Sequence, residues 1–390
     1  MIVIDLSATQ ASKNSKFHGG GEYAKEVVYK IIKMGFVDFI GLYDKEYELD
    51  STILDYCKQH DIKLIAVNGQ KGIVDYVNSS HPELYYSALP YEQTSIDTSK
   101  TRFIMTIHGL REIECPYDPI QMKYLHTLKD KIKLIVKRLF FSNRTSKIYK
   151  NKFLKLVDKK NTKIITVSEH TKYSLCSIYP FLNRNDIFVS PAPCPFGSET
   201  LIKPAEFVSK EILEKGFFLL VSGNRWMKNN YRAMRAIANF YSKNPGCTIK
   251  TVVTGIDKIP SEFSQDDRFV FLNYIEADSL NWLYKNAFCF IYPTLNEGYG
   301  YPPLQAMIYG TPVLASAVSS IPEVCGNNAL YFDPHNVLEI ENRITYLYSE
   351  KYLYKKLSIE GMRHAQTIKD NKEQNLENIV NFIFSDTNRS

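Results

Sequence analysis

Asn296-Glu297-Gly298-Tyr299-Gly300-Tyr301-Pro302-Pro303-Leu304-Gln305-Ala306-Met307-Ile308-Tyr309-Gly310-Thr311-Pro312-Val313-Leu314-Ala315 lies between one apolar run of strand length, Ala287–Tyr292, and a second that begins at Pro312. Gly298 and Gly300 let the backbone come close to a ligand. Pro302 or Pro303 suits the first helical position, where the missing N–H costs nothing. A helix opening there directs free N–H groups and a positive dipole end toward whatever lies beyond the strand, an arrangement suited to a diphosphate. Glu297 stands beside it, able to accept hydrogen bonds from sugar hydroxyls. An ordinary strand, Gly-rich turn and helix would use the same glycines and prolines; their clustering with Glu297 favours a ligand site.

Outward from this segment the same alternation fills the chain. Apolar runs at Gly216–Ser222, Thr248–Thr254, Phe269–Leu272, Ala287–Tyr292 and Pro312–Ala315 read as strands, with helices at Asn229–Tyr241, Ala277–Asn286 and Pro302–Tyr309. Further upstream, Ile2–Leu6, Phe39–Tyr43, Lys63–Val67, Arg102–Ile107, Lys163–Val167 and Ile187–Val189 read as strands, with periodic helical segments at Gly21–Met34 and Glu169–Tyr179. Strands alternating with helices make βαβ units and a parallel sheet. The proline-rich stretch Pro191–Gly197 can continue neither a helix nor a central strand, so it is the expected linker between two α/β domains. The expected boundaries are 1–195 and 196–370, followed by a terminal helix over 371–390. No repeat of 20–50 residues is visible, which argues against a solenoid.

A chain of 390 residues, 44% hydrophobic and 23% charged, is long enough for two cores and shows no biased tract that implies disorder. It opens directly on a strand-like run, with no secretory signal pattern and no apolar stretch long enough to span a bilayer, so a cytoplasmic location is expected. Seven scattered cysteines without a CxxC pair read as reduced thiols rather than a metal site. The net charge of +6 is concentrated. Between Lys123 and Lys163 fourteen Lys or Arg face two acids, a local +12, which leaves the rest of the chain at −6. Within this stretch, Lys131-Ile132-Lys133-Leu134-Ile135-Val136-Lys137-Arg138-Leu139-Phe140-Phe141 interleaves cations with large apolar residues, as interfacial helices on anionic lipid do. A merely solvated basic helix fits the composition too, and nucleic acid ranks behind both.

Ligands of open α/β sheets bind beyond the carboxyl ends of strands, so the residues there carry the chemistry. After the strand at 216–222 comes Gly223-Asn224-Arg225-Trp226-Met227-Lys228, where Arg225 and Lys228 can face the negative charge that builds on a departing diphosphate. Two cations at a helix start are also often simply solvated. His108 ends the strand Arg102–Ile107, where an imidazole serves as a structural hydrogen-bonding group or meets a reacting substrate. Phe17-His18-Gly19-Gly20-Gly21-Glu22-Tyr23 is a Gly-rich loop opening a helix, but it is not G-x-G-x-x-G and lacks the acid that dinucleotide binding requires. A dehydrogenase is therefore disfavoured. Ser168 is placed to cap the helix that follows it.

Glu297-Gly298-Tyr299-Gly300-Tyr301-Pro302-Pro303-Leu304-Gln305 resembles the E-x7-E signature of the retaining glycosyltransferases of family 4, with Gln at the second position. The resemblance implies a GT-B fold: two Rossmann-like domains whose parallel sheets face each other across a cleft, the terminal helix crossing back to the first. By position it assigns the donor sugar to Glu297 and the ribose to Gln305, an amide where the family has a carboxylate. Gly223, Asn224, Arg225 and Lys228 resemble the family's donor-phosphate motif, and Gly298, Tyr299, Gly300 and Tyr301 fall in the donor site. Thr106-Ile107-His108 resembles the T-x-H motif, whose His approaches the donor sugar. Gly19, Gly20 and Gly21 match the glycine loop over the donor phosphates, with His18 and Glu22 either meeting the acceptor or solvated. Val167-Ser168-Glu169-His170-Thr171 and Glu323 match family positions whose roles are read as structural.

The resemblance thus implies a retaining, metal-independent transfer of a hexose-type sugar from a nucleotide-diphosphate donor, with His108, Glu297, Arg225 and Lys228 at the reaction. No cofactor is expected, and no Asp-x-Asp triplet argues for a metal. The basic 123–163 segment directs expectation to a lipid-linked or oligosaccharide acceptor in surface polysaccharide or glycolipid synthesis, at the inner face of a membrane. A nucleotide-sugar epimerase of the same fold, or a non-catalytic binding partner, remains compatible with these residues.

Overall fold

The computed structural model describes residues 1–11, 19–196, 201–204 and 216–385. The chain divides into two compact units. One comprises Met1–Ile113, Arg144–Pro193 and Asn371–Ser390, the other Glu114–Asn143 and Cys194–Asp370.

The first unit is built on seven strands, β1 (Ile2–Asp5), β2 (Ile40–Asp44), β3 (Lys63–Val67), β4 (Leu84–Ser87), β5 (Arg102–Ile107), β6 (Thr162–Thr166) and β7 (Ile187–Val189). All pairings are parallel, in the order β3-β2-β1-β4-β5-β6-β7. Val3, Leu42, Tyr85, Phe103 and Ile164 form the core together with helix residues such as Val77, Leu156 and Leu175. β4 is absent from the strands expected from sequence. Its four residues are buried on both faces, so Leu-Tyr-Tyr-Ser shows no alternation to read. The helix Lys372–Phe384 closes this unit against the helix Gly19–Lys33, through Lys30 to Glu373 and Glu377 (both 2.9 Å) and Phe36 stacked on Phe384.

The second unit repeats the plan with six strands, β8 (Phe217–Leu220), β9 (Lys250–Thr254), β10 (Phe269–Leu272), β11 (Cys289–Tyr292), β12 (Val313–Ser316) and β13 (Ala329–Phe332). They too are all parallel, in the order β10-β9-β8-β11-β12-β13. β13 again escaped the sequence reading. In each sheet the strand order reverses once, between β1 and β4 and between β8 and β11. Such a reversal leaves a crevice beyond the strand ends because the flanking loops depart in opposite directions.

Residues 114–143 pack in the second unit, whereas the sequence reading runs the first domain unbroken to 195. The physical reason is apolar and polar docking: Ile120 enters the second core beside Met227 and Tyr231, with Cys115 and Tyr124 against it. Asp118 meets Arg232 at 2.8 Å, and Lys123 meets Glu262 at 2.9 Å. Pro191–Phe196 has no regular structure, as its prolines dictate; Gly197 lies outside the described residues.

Candidate active site

At the reversal point of the second sheet two loops are stitched together. The loop after β8 is held against the end of β9 by Gly223 N–H to Thr254 O (2.7 Å) and Asn224 N–H to Gly255 O (2.8 Å). A side chain at 223 would meet Ile256 Cβ at 2.8 Å and Thr254 O at 3.2 Å, so only glycine lets the loop lie this close. The chain then makes a 3-10 turn, Trp226–Lys228, and reverses through Asn229 in the left-handed region (φ 55°) into the helix Asn230–Lys243. Asn230 anchors that start by donating to Val221 O at 2.7 Å. The tight turn swings the Lys228 side chain inward, leaving it 14% exposed.

The loop after β11 meets it. Leu295 N–H donates to Met227 O at 2.9 Å, and Asn229 Nδ2 donates to Pro293 O at 3.0 Å. Lys228 Nζ thereby reaches Glu297 Oε1 at 2.6 Å and the Tyr292 hydroxyl at 2.8 Å. The Thr294 hydroxyl donates to the same Glu297 oxygen at 2.7 Å, the Glu297 N–H donates to Ser319 Oγ at 2.9 Å, and Ser320 Oγ donates to Glu297 O at 3.1 Å. A carboxylate this buried is tolerable because a cation and hydrogen bonds compensate it. Of the six described non-glycine residues with positive φ, Ser222 and Asn229 lie in the first loop, and Ser319 lies in the loop after β12 that holds the Glu297 N–H. Backbone strain concentrated there is what a pre-organised site stores.

Gly298 to Tyr301 continue from Glu297 into the short helix Tyr301–Met307, with its prolines in the first turn. Gly300 caps it at φ 104°, and a Cβ there would fall 2.5 Å from Ile321 Cδ1. Tyr299 is buried, which pushes its phenol up, and its ring lies edge-on to Tyr301 at 5.7 Å. Gln305 donates to Pro195 O at 2.9 Å. Arg225 is exposed at the head of the 3-10 turn. Asn224, expected at the donor, instead exchanges hydrogen bonds with Asp257, its Nδ2 donating to Oδ2 at 2.6 Å and its Oδ1 accepting from the Asp257 N–H at 3.1 Å. Glu323 is exposed in the first turn of the helix Ile321–Cys325.

In the first unit His108 follows β5. Its Nε2 lies 3.0 Å from Ala88 O, a pure acceptor, so Nε2 carries the proton. Its backbone N–H donates to the Tyr91 hydroxyl at 2.9 Å, and the Tyr23 ring stands perpendicular to the imidazole with centroids 4.7 Å apart. Burial pushes the Tyr23 and Tyr91 phenols up to about 12 each, so both are neutral hydrogen-bonding groups at physiological pH. Thr106 sits between the Tyr23 and Tyr86 hydroxyls (3.3 and 3.0 Å).

Gly19, Gly20 and Gly21 form the first turn of the helix Gly19–Lys33 rather than a loop ahead of it. A Cβ on Gly20 would meet Leu89 Cδ2 at 2.8 Å, so close packing is what glycine serves there. Glu22 pairs with Lys25 at 3.3 Å, and Lys25 with Asp50 at 3.0 Å; His18 lies outside the described residues. Ser168 caps its helix by accepting from Thr171 N–H at 3.1 Å. One residue the sequence reading passed over stands at the other reversal point: Asp5, 1% exposed at the end of β1, accepts from Ser7, Ser87 and Gln93 at 2.6–2.8 Å. A lone Asp ending an apolar run was its only signal.

Among the described residues no three His, Cys, Asp or Glu side chains are grouped to hold a metal ion, and all seven cysteines are free. No described helix is long and apolar enough to cross a membrane.

Residues 203–364, within the second unit, match the family model described as glycosyl transferases group 1. The chain is 26% identical over 192 residues to the O-antigen chain mannosyltransferase RfbU of Salmonella typhimurium, covering 48% of this chain and 51% of that protein. It thus spans about half the length of that relative. Among solved structures, a glycosyltransferase from Rickettsia africae matches with a TM-score of 0.64 at 15% identity, covering 99% of both chains. Anabaena HepE in complex with UDP and glucose matches with a TM-score of 0.61 at 14% identity, covering 97% of this chain and 100% of that one. The fold is therefore GT-B, two α/β domains each built on a parallel sheet.

Proposed function

We propose that this protein is a glycosyltransferase that moves a hexosyl unit, mannose being the first candidate, from a nucleotide-diphosphate sugar to a saccharide acceptor in surface polysaccharide synthesis. The observation that carries the reading is the Lys228–Glu297 pair at the reversal point of the second sheet: a fixed cation beside a fixed carboxylate, 2.6 Å apart. In this reading Lys228, with Arg225, faces the departing diphosphate and stabilises its growing charge, while Glu297 accepts hydrogen bonds from sugar hydroxyls. Fixed cations do the work, and neither metal nor cofactor takes part. Gln305 meets the ribose through an amide, and the Gly298–Tyr301 turn borders the phosphates. His108 is assigned to the reaction on its resemblance to the T-x-H motif. Transfer retains the anomeric configuration by attack on the face that the leaving phosphate vacates, the phosphate accepting the acceptor's proton. The mannosyl preference is drawn from the named relative.

The acceptor in this reading is lipid-linked, and the enzyme works at the cytoplasmic face of an anionic membrane. The support is the 30-residue helix Leu128–Val157, which exposes Leu128, Ile132, Ile135 and Val136 at 41–74% among Lys129, Lys131 and Lys133. Apolar bulk flanked by cations fits an anionic interface.

The test is nucleotide release from a panel of nucleotide sugars, with and without membrane extract, for wild type and Glu297→Ala. Release from one donor, raised by extract and abolished in the variant, supports the reading. Sugar turnover with no acceptor dependence points to an epimerase, and binding without turnover to a non-catalytic partner; either result overturns it.

A further inference from the structure

Resting on that reading, we infer that Asp118, on the segment 114–124, is a positioning residue for the donor site, holding the turn that aims Lys228 at Glu297. Asp118 is 4% exposed and both carboxylate oxygens are engaged. Oδ1 accepts from Arg232 Nη2 at 2.8 Å and Oδ2 faces His335 Nε2 at 3.2 Å. Arg232 Nη1 in turn donates to Asn229 Oδ1 at 2.9 Å. With its oxygen so occupied, the Asn229 amide must present Nδ2 the other way, where it donates to Pro293 O at 3.0 Å and Pro334 O at 2.8 Å. Pro334 precedes His335, which returns to Asp118.

The result is a ring of polar contacts closed by the Pro334–His335 peptide bond, with one residue of the proposed site beside Asn229 and another beside Pro293, which Asn229 also holds. Lys228 precedes Asn229, and Thr294, whose hydroxyl holds the Glu297 oxygen, follows Pro293. Asn229 is fully buried in a left-handed conformation, which asparagine enters more readily than other non-glycine residues but at a cost that enforcement by its surroundings offsets. The ring supplies that enforcement, and Asp118 is its charged anchor. The same segment reaches the second loop directly: Glu114 Oε2 accepts from Asn296 Nδ2 at 2.7 Å, immediately before Glu297. None of these residues is expected to touch the donor; they act through Lys228 and Glu297. Nothing in the sequence reading or the group 1 domain, which begins at 203, assigns a role to Asp118.

A double-mutant cycle tests this. Asp118→Asn keeps shape and removes charge; Arg232→Lys, which keeps charge but cannot span Asp118 and Asn229 together, serves as the second variant should the first fail to fold. Each is measured alone and with Lys228→Ala, as kcat for nucleotide release and as UDP and GDP affinity by calorimetry, so that the coupling is read even without turnover. Asp118→Asn should lower kcat about 10- to 100-fold in the wild-type background, the scale of a small misplacement. Its effect should shrink to less than about threefold when Lys228 is absent, because residues acting through one another are not additive. Equal losses in both backgrounds, or no loss in wild type, overturn the inference alone. A neutral Lys228→Ala overturns the transferase role of Lys228 and this inference with it.

Discussion

Replacing Lys228 with methionine should lower stability and turnover through two separable effects. Lys228 Nζ sits 2.6 Å from Glu297 Oε1, with side-chain exposures of 14% and 10%. Breaking such a pair from one side takes the Lys228 cation from a mostly buried carboxylate, which costs about 3–5 kcal/mol when burial is complete. The residual exposure places this pair near about 3 kcal/mol. In a unit of this size each kcal/mol shifts the midpoint by about 2–4 °C, so Lys228→Met should melt roughly 6–12 °C below wild type. Adding Glu297→Gln removes the carboxylate charge, and the double variant should recover most of that loss. Turnover should behave otherwise. On the proposed roles, losing the Lys228 cation costs about 10²- to 10³-fold in kcat, and a second change that also removes the carboxylate proposed to meet the sugar cannot restore it. Thermal unfolding and nucleotide release on wild type, the single variant and the double variant separate the two. A single variant that melts with wild type refutes the electrostatic argument, and a double variant that regains turnover refutes the assignment of the pair to the reaction.

Gly300→Ala should destabilise the second unit by at least about 2 kcal/mol in urea titrations, since it combines a left-handed backbone at φ 104° with a 2.5 Å approach to Ile321. Pairing it with Ile321→Ala should relieve the clash but not the backbone term. Hydrogen bonding from Tyr231, and then from Lys123, holds Glu262 below its usual 4.5. A carboxyl group held low in the folded chain adds stability above its unfolded value and loses it as pH falls through the folded one. Acid titration of unfolding should therefore be shallower below about pH 4.5 for Glu262→Gln than for wild type. For the surface reading, Ile132→Ser with Ile135→Ser should weaken sedimentation with anionic vesicles even at low salt, whereas Lys131→Glu with Lys133→Glu should weaken it mainly there, because screening already reduces the charge contribution at high salt.

The fold was legible where burial is one-sided or where punctuation is strong. The glycines and prolines of 298–303 announced a strand, a turn and a helix, and the helix begins at Tyr301, one residue ahead of the expected start. β4 and β13 escape the patterning although β8 and β11, also four residues long, do not, and nothing local in Leu84-Tyr85-Tyr86-Ser87 or Ala329-Leu330-Tyr331-Phe332 separates them from those strands. The three glycines at 19–21 were read as a loop over a ligand. Their place in a helix is invisible in composition, because what selects Gly20 is Leu89, nearly seventy residues away.

The same reasoning separates the parts of the site. Lys228 and Glu297 each carried a local signal, a cation or a carboxylate just past a strand, and the parallel order β8-β11 makes those two strand ends neighbours although 69 residues separate them. Asp118 had no such signal. It stands between Tyr117 and Pro119 in a stretch with neither strand nor helix periodicity, and its partners Arg232 and His335 lie 114 and 217 residues onward. In open α/β sheets ligand-binding residues gather near strand ends, and strand ends can be read from apolar patterning. A residue that holds another in place need only sit where the chain returns, and that return is decided by Ile120 finding the second core. Positioning residues are therefore the class that sequence patterning underestimates most, and the ring around Asn229 is where that difference can be measured.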